Sequence, residues 1–140
     1  MPADVRERCN AIEECYEFML AYAAQGLPGQ EGNESGGQLR QFMGRATEAL
    51  SGLAASYSDA VREAGLKPAD RYRAFLSVLE RDAADSLAAM EMVLAQPAIS
   101  SQLIDNLNAS IHLRALLTDV FLIDEILKPE QVSTDPAATA

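Results

Sequence analysis

The chain has 140 residues, of which 49% are hydrophobic, and its formal net charge is −10. That length suits one domain and is too short for a doubly wound cofactor enzyme with a separate substrate domain. Such an acidic chain repels duplex DNA and anionic lipid, so we expect it to bind neither nucleic acid nor membrane. It contains no uninterrupted apolar run of about 18 residues, the length that a membrane span requires.

The first predicted helix covers residues 5–25. Apolar residues recur there at alternating spacings of four and three, which is typical of a helix that packs along one stripe. They are Val5, Cys9, Ile12, Tyr16, Met19 and Ala23. Gly26 is a candidate for the residue that ends the helix, and Pro28 prevents its continuation. Because Cys15 lies off this stripe, we expect its thiol to be more accessible than that of Cys9.

A glycine-rich connection and two more helices follow. Residues 26–37 include five glycines and one proline, which predicts a long loop. Residues 38–64 and 69–96 each show an apolar stripe with helical spacing. Gly65 and Pro68 separate these two helices.

Small residues form a second line on the predicted second helix, displaced from its leucine-rich stripe. They are Gly44, Ser51, Ala55 and Ser58. Small side chains allow another helix to approach closely, so this line is a candidate packing lane. The alternative is an ordinary solvent-exposed face.

The fourth predicted helix begins near Ser100 or Ser101 and ends near Leu127. Nine of the fifteen positions in residues 113–127 are large and apolar, whereas a bundle helix needs only about three apolar positions in seven. Either this helix lies centrally, or its outer face pairs with a second copy in a homodimer. The candidate interface residues are Leu113, Leu117, Phe121, Leu122 and Ile126.

Together these patterns predict an all-α protein. The connections after the second and third helices are short, which makes neighbouring helices antiparallel. We therefore expect an antiparallel four-helix bundle domain over residues 1–128, with a long glycine-rich first connection. Residues 129–140 have no periodicity and are predicted to form a mobile, disordered C-terminal tail.

Catalytic chemistry is poorly represented. His112 is the only histidine, so the one available nucleophile–base pair would join it to Cys9 or Cys15. Free cysteines commonly act as small buried hydrophobes instead. A carboxylate-bridged di-metal centre needs a Glu-x-x-His motif on each of two helices, and Ala109 occupies the required glutamate position. We expect no enzyme activity, no metal and no cofactor.

These features favour a small interaction protein, such as an accessory subunit, adaptor or chaperone, that binds a protein partner through apolar helical surfaces. The sequence does not identify that partner. The alternative is a bundle that binds a small apolar ligand or cofactor in its core. Four methionines would line such a pocket: Met19, Met43, Met90 and Met92.

Location can also be inferred from composition. The first residues are polar and lack the apolar segment of a secretory signal, so we expect a cytoplasmic protein with reduced thiols. Only Lys67 and Lys128 are lysines, and the other nine basic residues are arginines. That bias, with the high alanine content, suggests a bacterial source with a GC-rich genome.

Overall fold

The computed structural model describes residues 2–29 and 34–133. Within these ranges the chain forms five α-helices and no strand, which confirms the predicted all-α class. The helices are α1 (Ala3–Ala24), α2 (Glu34–Ala64), α3 (Ala69–Leu94), α4 (Ser101–Ala109) and α5 (His112–Ser133). None of these five helices has a stretch long and apolar enough to cross a bilayer.

The helices lie side by side, with α2 between α1 and α3. The α1–α2 pair is antiparallel, because the Arg8 guanidinium donates to the Ala49 carbonyl while the Phe18 and Phe42 rings stack 4.7 Å apart. On the other side of the molecule, α4 packs mainly on α1, and α5 packs mainly on α3. The segment predicted as the fourth helix therefore forms two helices, and each packs on a different neighbour.

The division falls at Ile111, and it corrects the predicted count of four helices to five. Ile111 has φ 62°, in the left-handed region, so the helical path ends at Ala109 and restarts at His112. A β-branched residue rarely adopts this conformation. Neither glycine nor proline occurs at the break, so the sequence pattern predicts one continuous helix there.

Two predicted boundaries also move. α5 continues beyond the predicted end at Leu127, through Pro129 to Ser133. The rest of the predicted tail, residues 134–140, lies outside the described residues. α2 begins at Glu34, so the last part of the predicted glycine-rich loop is helical; residues 30–33 of that loop are likewise outside the described part.

The buried face of α1 also differs from the predicted stripe. Cys15 and Tyr22 are fully buried, while Tyr16 and Ala23 are only partly buried. The reason is that α1 has neighbours on two sides. Tyr22 turns toward the connection before α4, where its hydroxyl donates to the Ile99 carbonyl at 2.5 Å.

Two serines at the start of α4, Ser100 and the buried Ser101, form the junction between α4 and the end of α1. Ser100 caps α4 by accepting a hydrogen bond from the Leu103 amide at 3.0 Å, which agrees with the predicted start. The Ser101 hydroxyl donates to the Tyr22 carbonyl at 2.6 Å and accepts from the Leu27 amide at 2.8 Å. Gly29 completes this junction, because a Cβ added there would lie 2.6 Å from the Ser100 nitrogen.

Replacing Ile111 is expected to stabilise the protein. Its side chain is 57% exposed, so truncation loses little buried area, and a left-handed conformation costs a non-glycine residue about 1–2 kcal/mol. After the larger unfolded-state entropy of glycine is subtracted, Ile111→Gly should raise the free energy of unfolding by about 0.5–1 kcal/mol. Urea denaturation measures this, with Ile111→Val as the control that keeps the β-branch. An equal gain for both variants would contradict the explanation.

Candidate interaction surface

α5 carries the candidate interface residues on two different faces. Among residues 112–128 of α5, the buried side chains are Leu113, Leu116, Leu117, Val120, Ile123 and Leu127. Leu113 and Leu117 therefore belong to the core, and the prediction that they lie at an interface is not supported by their position. The other three candidates are about half exposed: Phe121 at 54%, Leu122 at 53% and Ile126 at 51%.

Leu122 and Ile126 border an apolar groove between α3 and α5, here called the α3–α5 groove. Tyr72 and Phe75 form its opposite wall, and its volume is about 320 Å³. The apolar pattern of residues 69–96 predicts a helix that packs along one stripe and does not reveal this wall. The available signal was an aromatic pair spaced by three residues, which places both rings on one side of α3.

Phe121 lies on the opposite flank of α5, beside a groove of different character. That groove has a volume of about 440 Å³, and its lining includes Glu13, Glu17, Tyr16 and Arg114. α5 thus separates an apolar groove on its α3 side from a charged groove on its α1 side.

A buried polar cluster joins α1, α2 and α5 behind this surface. The Tyr57 hydroxyl donates to Asp124 Oδ1 at 2.7 Å and lies 3.3 Å from Cys9 Sγ. Burial raises the pKa of the Tyr57 phenol far above its usual range, so it remains a neutral donor. Burial also raises the pKa of Asp124, and burial together with the Asp124 charge raises the pKa of Glu13. The cluster links α1, α2 and α5 through contacts between their side chains.

Both thiols are buried in the core. Cys9 contacts Tyr57, Cys15 Sγ lies 3.5 Å from Met19 Sδ, and His112 is exposed at the first residue of α5. Burial raises the pKa of Cys9 to about 11 and that of Cys15 to about 12. The expected greater accessibility of Cys15 is wrong, since Cys15 is fully buried whereas Cys9 is 8% exposed.

Both thiols should therefore resist modification in the folded protein. At pH 8 the thiolate fraction of each is small, because the pKa values lie near 11 and 12. We expect slow labelling by a disulfide reagent without denaturant and labelling of two thiols in urea. The single variants Cys9→Ala and Cys15→Ala assign each rate to its residue. Fast labelling of either thiol in the folded state would contradict the observed burial.

Two carboxylates, Asp82 of α3 and Asp119 of α5, lie close together between these helices. Burial, reinforced by a hydrogen bond with Asp82 and by the charge of Asp82, raises the pKa of Asp119 to about 7. Asp119 Oδ2 is buried and has no hydrogen-bond partner among the described residues. Protonation of Asp119 removes one of two facing negative charges, and loss of the proton restores both.

This pair should make stability fall as pH rises. The folded-state pKa of Asp119 lies above its ordinary value of 3.8, so the folded state binds more protons than the unfolded state between those values. The stabilisation is complete below about pH 4 and is lost as pH rises through about 7. Asp119→Asn should flatten this dependence, measured as the urea midpoint from pH 5 to 8.

Asp85→Asn provides the matched control for that experiment, because Asp85 is exposed on the same helix as Asp82. It removes one carboxylate without altering the pair between α3 and α5. An unchanged slope in Asp119→Asn would show that Asp119 does not hold the proton.

No other candidate site is assembled from the predicted residues. Among residues 2–29 and 34–133, no group of three or more His, Cys, Asp or Glu side chains is placed to hold a metal ion. Met19, Met43 and Met90 are buried in the packed core, whereas Met92 is 66% exposed on α3. The four methionines therefore do not line a common pocket.

The line of small residues on α2 lies at a helix–helix groove. Ser51, Ala55 and Ser58 face α3 residues such as Ser77 and Ala84 across a groove of about 580 Å³. Gly44 is not part of this lining, and a Cβ added there would meet nothing within 4 Å. The small side chains leave the groove open between α2 and α3.

Comparisons with known proteins identify no relative: no protein-family model and no curated protein matches the sequence, and no solved structure matches the fold. The fold defines the class only as an all-α helical protein. The two faces of α5 and the α3–α5 groove are the features from which a function can be inferred.

Proposed function

We propose that this chain is a small non-enzymatic interaction protein, of the accessory, adaptor or chaperone kind, that binds through α5 and the α3–α5 groove. The observation that carries the proposal is the half-exposed pair Leu122 and Ile126, which adjoins Tyr72 and Phe75. Contiguous apolar surface of this kind marks interaction sites on soluble proteins. The charged rim around it, including Arg71, is typical of protein interfaces.

The first partner that we propose for this surface is a second copy of the chain. A two-fold dimer is the commonest way for a protein to cover its own apolar surface. The competing idea, that α5 lies centrally and is surrounded by the other helices, fits poorly with its packing. α5 packs chiefly on α3, and its outer side remains uncovered by the described helices.

Sedimentation equilibrium at micromolar concentration tests this proposal. The wild type should have twice the 15.1 kDa mass of the chain, and Leu122→Glu should be a folded monomer, because it places a charge within the apolar surface. Leu122 is half exposed, so the substitution leaves the core intact. Circular dichroism checks that the variant is folded.

Met92→Glu is the matched control, since Met92 is more exposed than Leu122 and does not line the α3–α5 groove. It should remain dimeric. A wild-type mass of 15.1 kDa at every concentration would contradict self-association, as would an equal loss of the dimer in both variants.

A small apolar ligand is the second candidate partner, and one observation favours it. The α3–α5 groove has a volume of about 320 Å³, within the usual range for small-molecule sites of about 300–1,000 Å³. Native mass spectrometry distinguishes the two candidates. A ligand adduct that disappears in Leu122→Glu supports this alternative, whereas a ligand-free dimer supports self-association.

The proposal also covers fold and location. We propose an antiparallel bundle in which α4 and α5 together occupy the fourth position, and a cytoplasmic protein of bacterial origin. Supporting the fold is the packing of α4 on α1 and of α5 on α3. Supporting the location are two buried free cysteines, which suit a reducing compartment.

A further inference from the structure

We propose that two copies pair through antiparallel α5 helices, with Arg114 of each copy beside Glu125 of the other. This inference rests on the proposed self-association and specifies its geometry. Successive helical residues are rotated by about 100°, which places Arg114 and Glu125 on nearly the same line of α5. Both are exposed, and this line adjoins Thr118 and Leu122 on the outer face.

The two charged residues are available for an intermolecular contact. The ion pairs among the described residues are Arg8–Asp4 and Arg62–Asp59, and neither involves α5. Arg114 borders the charged groove on the α1 side of α5. Glu125 is exposed eleven residues after Arg114, a spacing that places the two on the same side of α5.

Two-fold symmetry fixes which residues meet. In an antiparallel pair, positions at equal distances on either side of the axis oppose each other, and every contact occurs twice. With the axis level with the midpoint between residues 119 and 120, Phe121 packs against Thr118 of the second copy, and Leu122 lies beside that contact. The same axis brings Arg114 beside Glu125 of the second copy, and Glu125 beside its Arg114.

The charges select this orientation over the parallel one. A parallel two-fold pair would place Arg114 against Arg114 and Glu125 against Glu125, which is unfavourable at both positions. The antiparallel pair replaces both repulsions by attractions. It also brings the two half-exposed Phe121 rings toward each other, next to the charged residues.

Charge reversal tests the pairing directly. Arg114→Glu alone and Glu125→Arg alone each convert two attractive contacts into two repulsive ones. We expect each to raise the dimer dissociation constant by about tenfold. The double variant restores opposite charges with their positions exchanged, and its dissociation constant should return to within about threefold of the wild type.

Arg81→Glu and Glu91→Arg are the controls, because they make the same charge changes at exposed positions of α3 that do not line the α3–α5 groove. They should leave the dissociation constant within about twofold of the wild type. This comparison removes the effect of net charge on the association of two acidic chains.

The outcomes separate this inference from the proposed function. If Leu122→Glu abolishes the dimer but the single reversals do not weaken it, the interface stands and the antiparallel pairing is wrong. A double variant as weak as the single ones also overturns the pairing. A monomeric wild type overturns the proposed self-association, and the pairing with it.

Discussion

The arrangement of the helices depends on the two hydrogen bonds made by the Ser101 hydroxyl. Ser101 is buried, and its side chain is held by two backbone groups of the α1 terminus, the Tyr22 carbonyl and the Leu27 amide. The Ser101 amide in turn donates to the Leu27 carbonyl at 3.0 Å. Buried polar groups are costly without such partners. These bonds hold the start of α4 against α1, and Asn108 extends the attachment by donating to the Met19 carbonyl.

Because α4 is held against α1, the chain has to change direction before α5 can pack against α3. The turn is made at Ile111, where φ is 62°. Local sequence could not reveal it, since isoleucine is a poor choice for a left-handed position and neither glycine nor proline occurs nearby. By contrast, the end of α2 at Gly65 and the start of α4 at Ser100 could be predicted, because a terminating glycine and a capping serine lie within one turn of the helix end that they stabilise.

The candidate surface could be predicted only in part from the sequence. The excess of apolar residues in 113–127 correctly indicated that some of them lie outside the core, and Leu122 and Ile126 do. Leu113 and Leu117 could not be separated from them, since the width of a buried face depends on how many neighbours a helix has. The wall formed by Tyr72 and Phe75 depends on the pairing of α3 with α5, which is a tertiary property.

The hydrogen bond from Tyr57 to Asp124 links residues that are 67 positions apart in the chain. Neighbouring helices joined by short connections can associate as soon as both have been synthesised, but this bond must wait for the last helix. Until then the phenol has no carboxylate acceptor and α2 has an unfinished buried face. The contact of α5 that supplies Asp124 to the phenol also brings Leu122 and Ile126 beside Tyr72 and Phe75 of α3. The α3–α5 groove therefore exists only in chains in which α5 has packed on α3, because each helix supplies one of its walls.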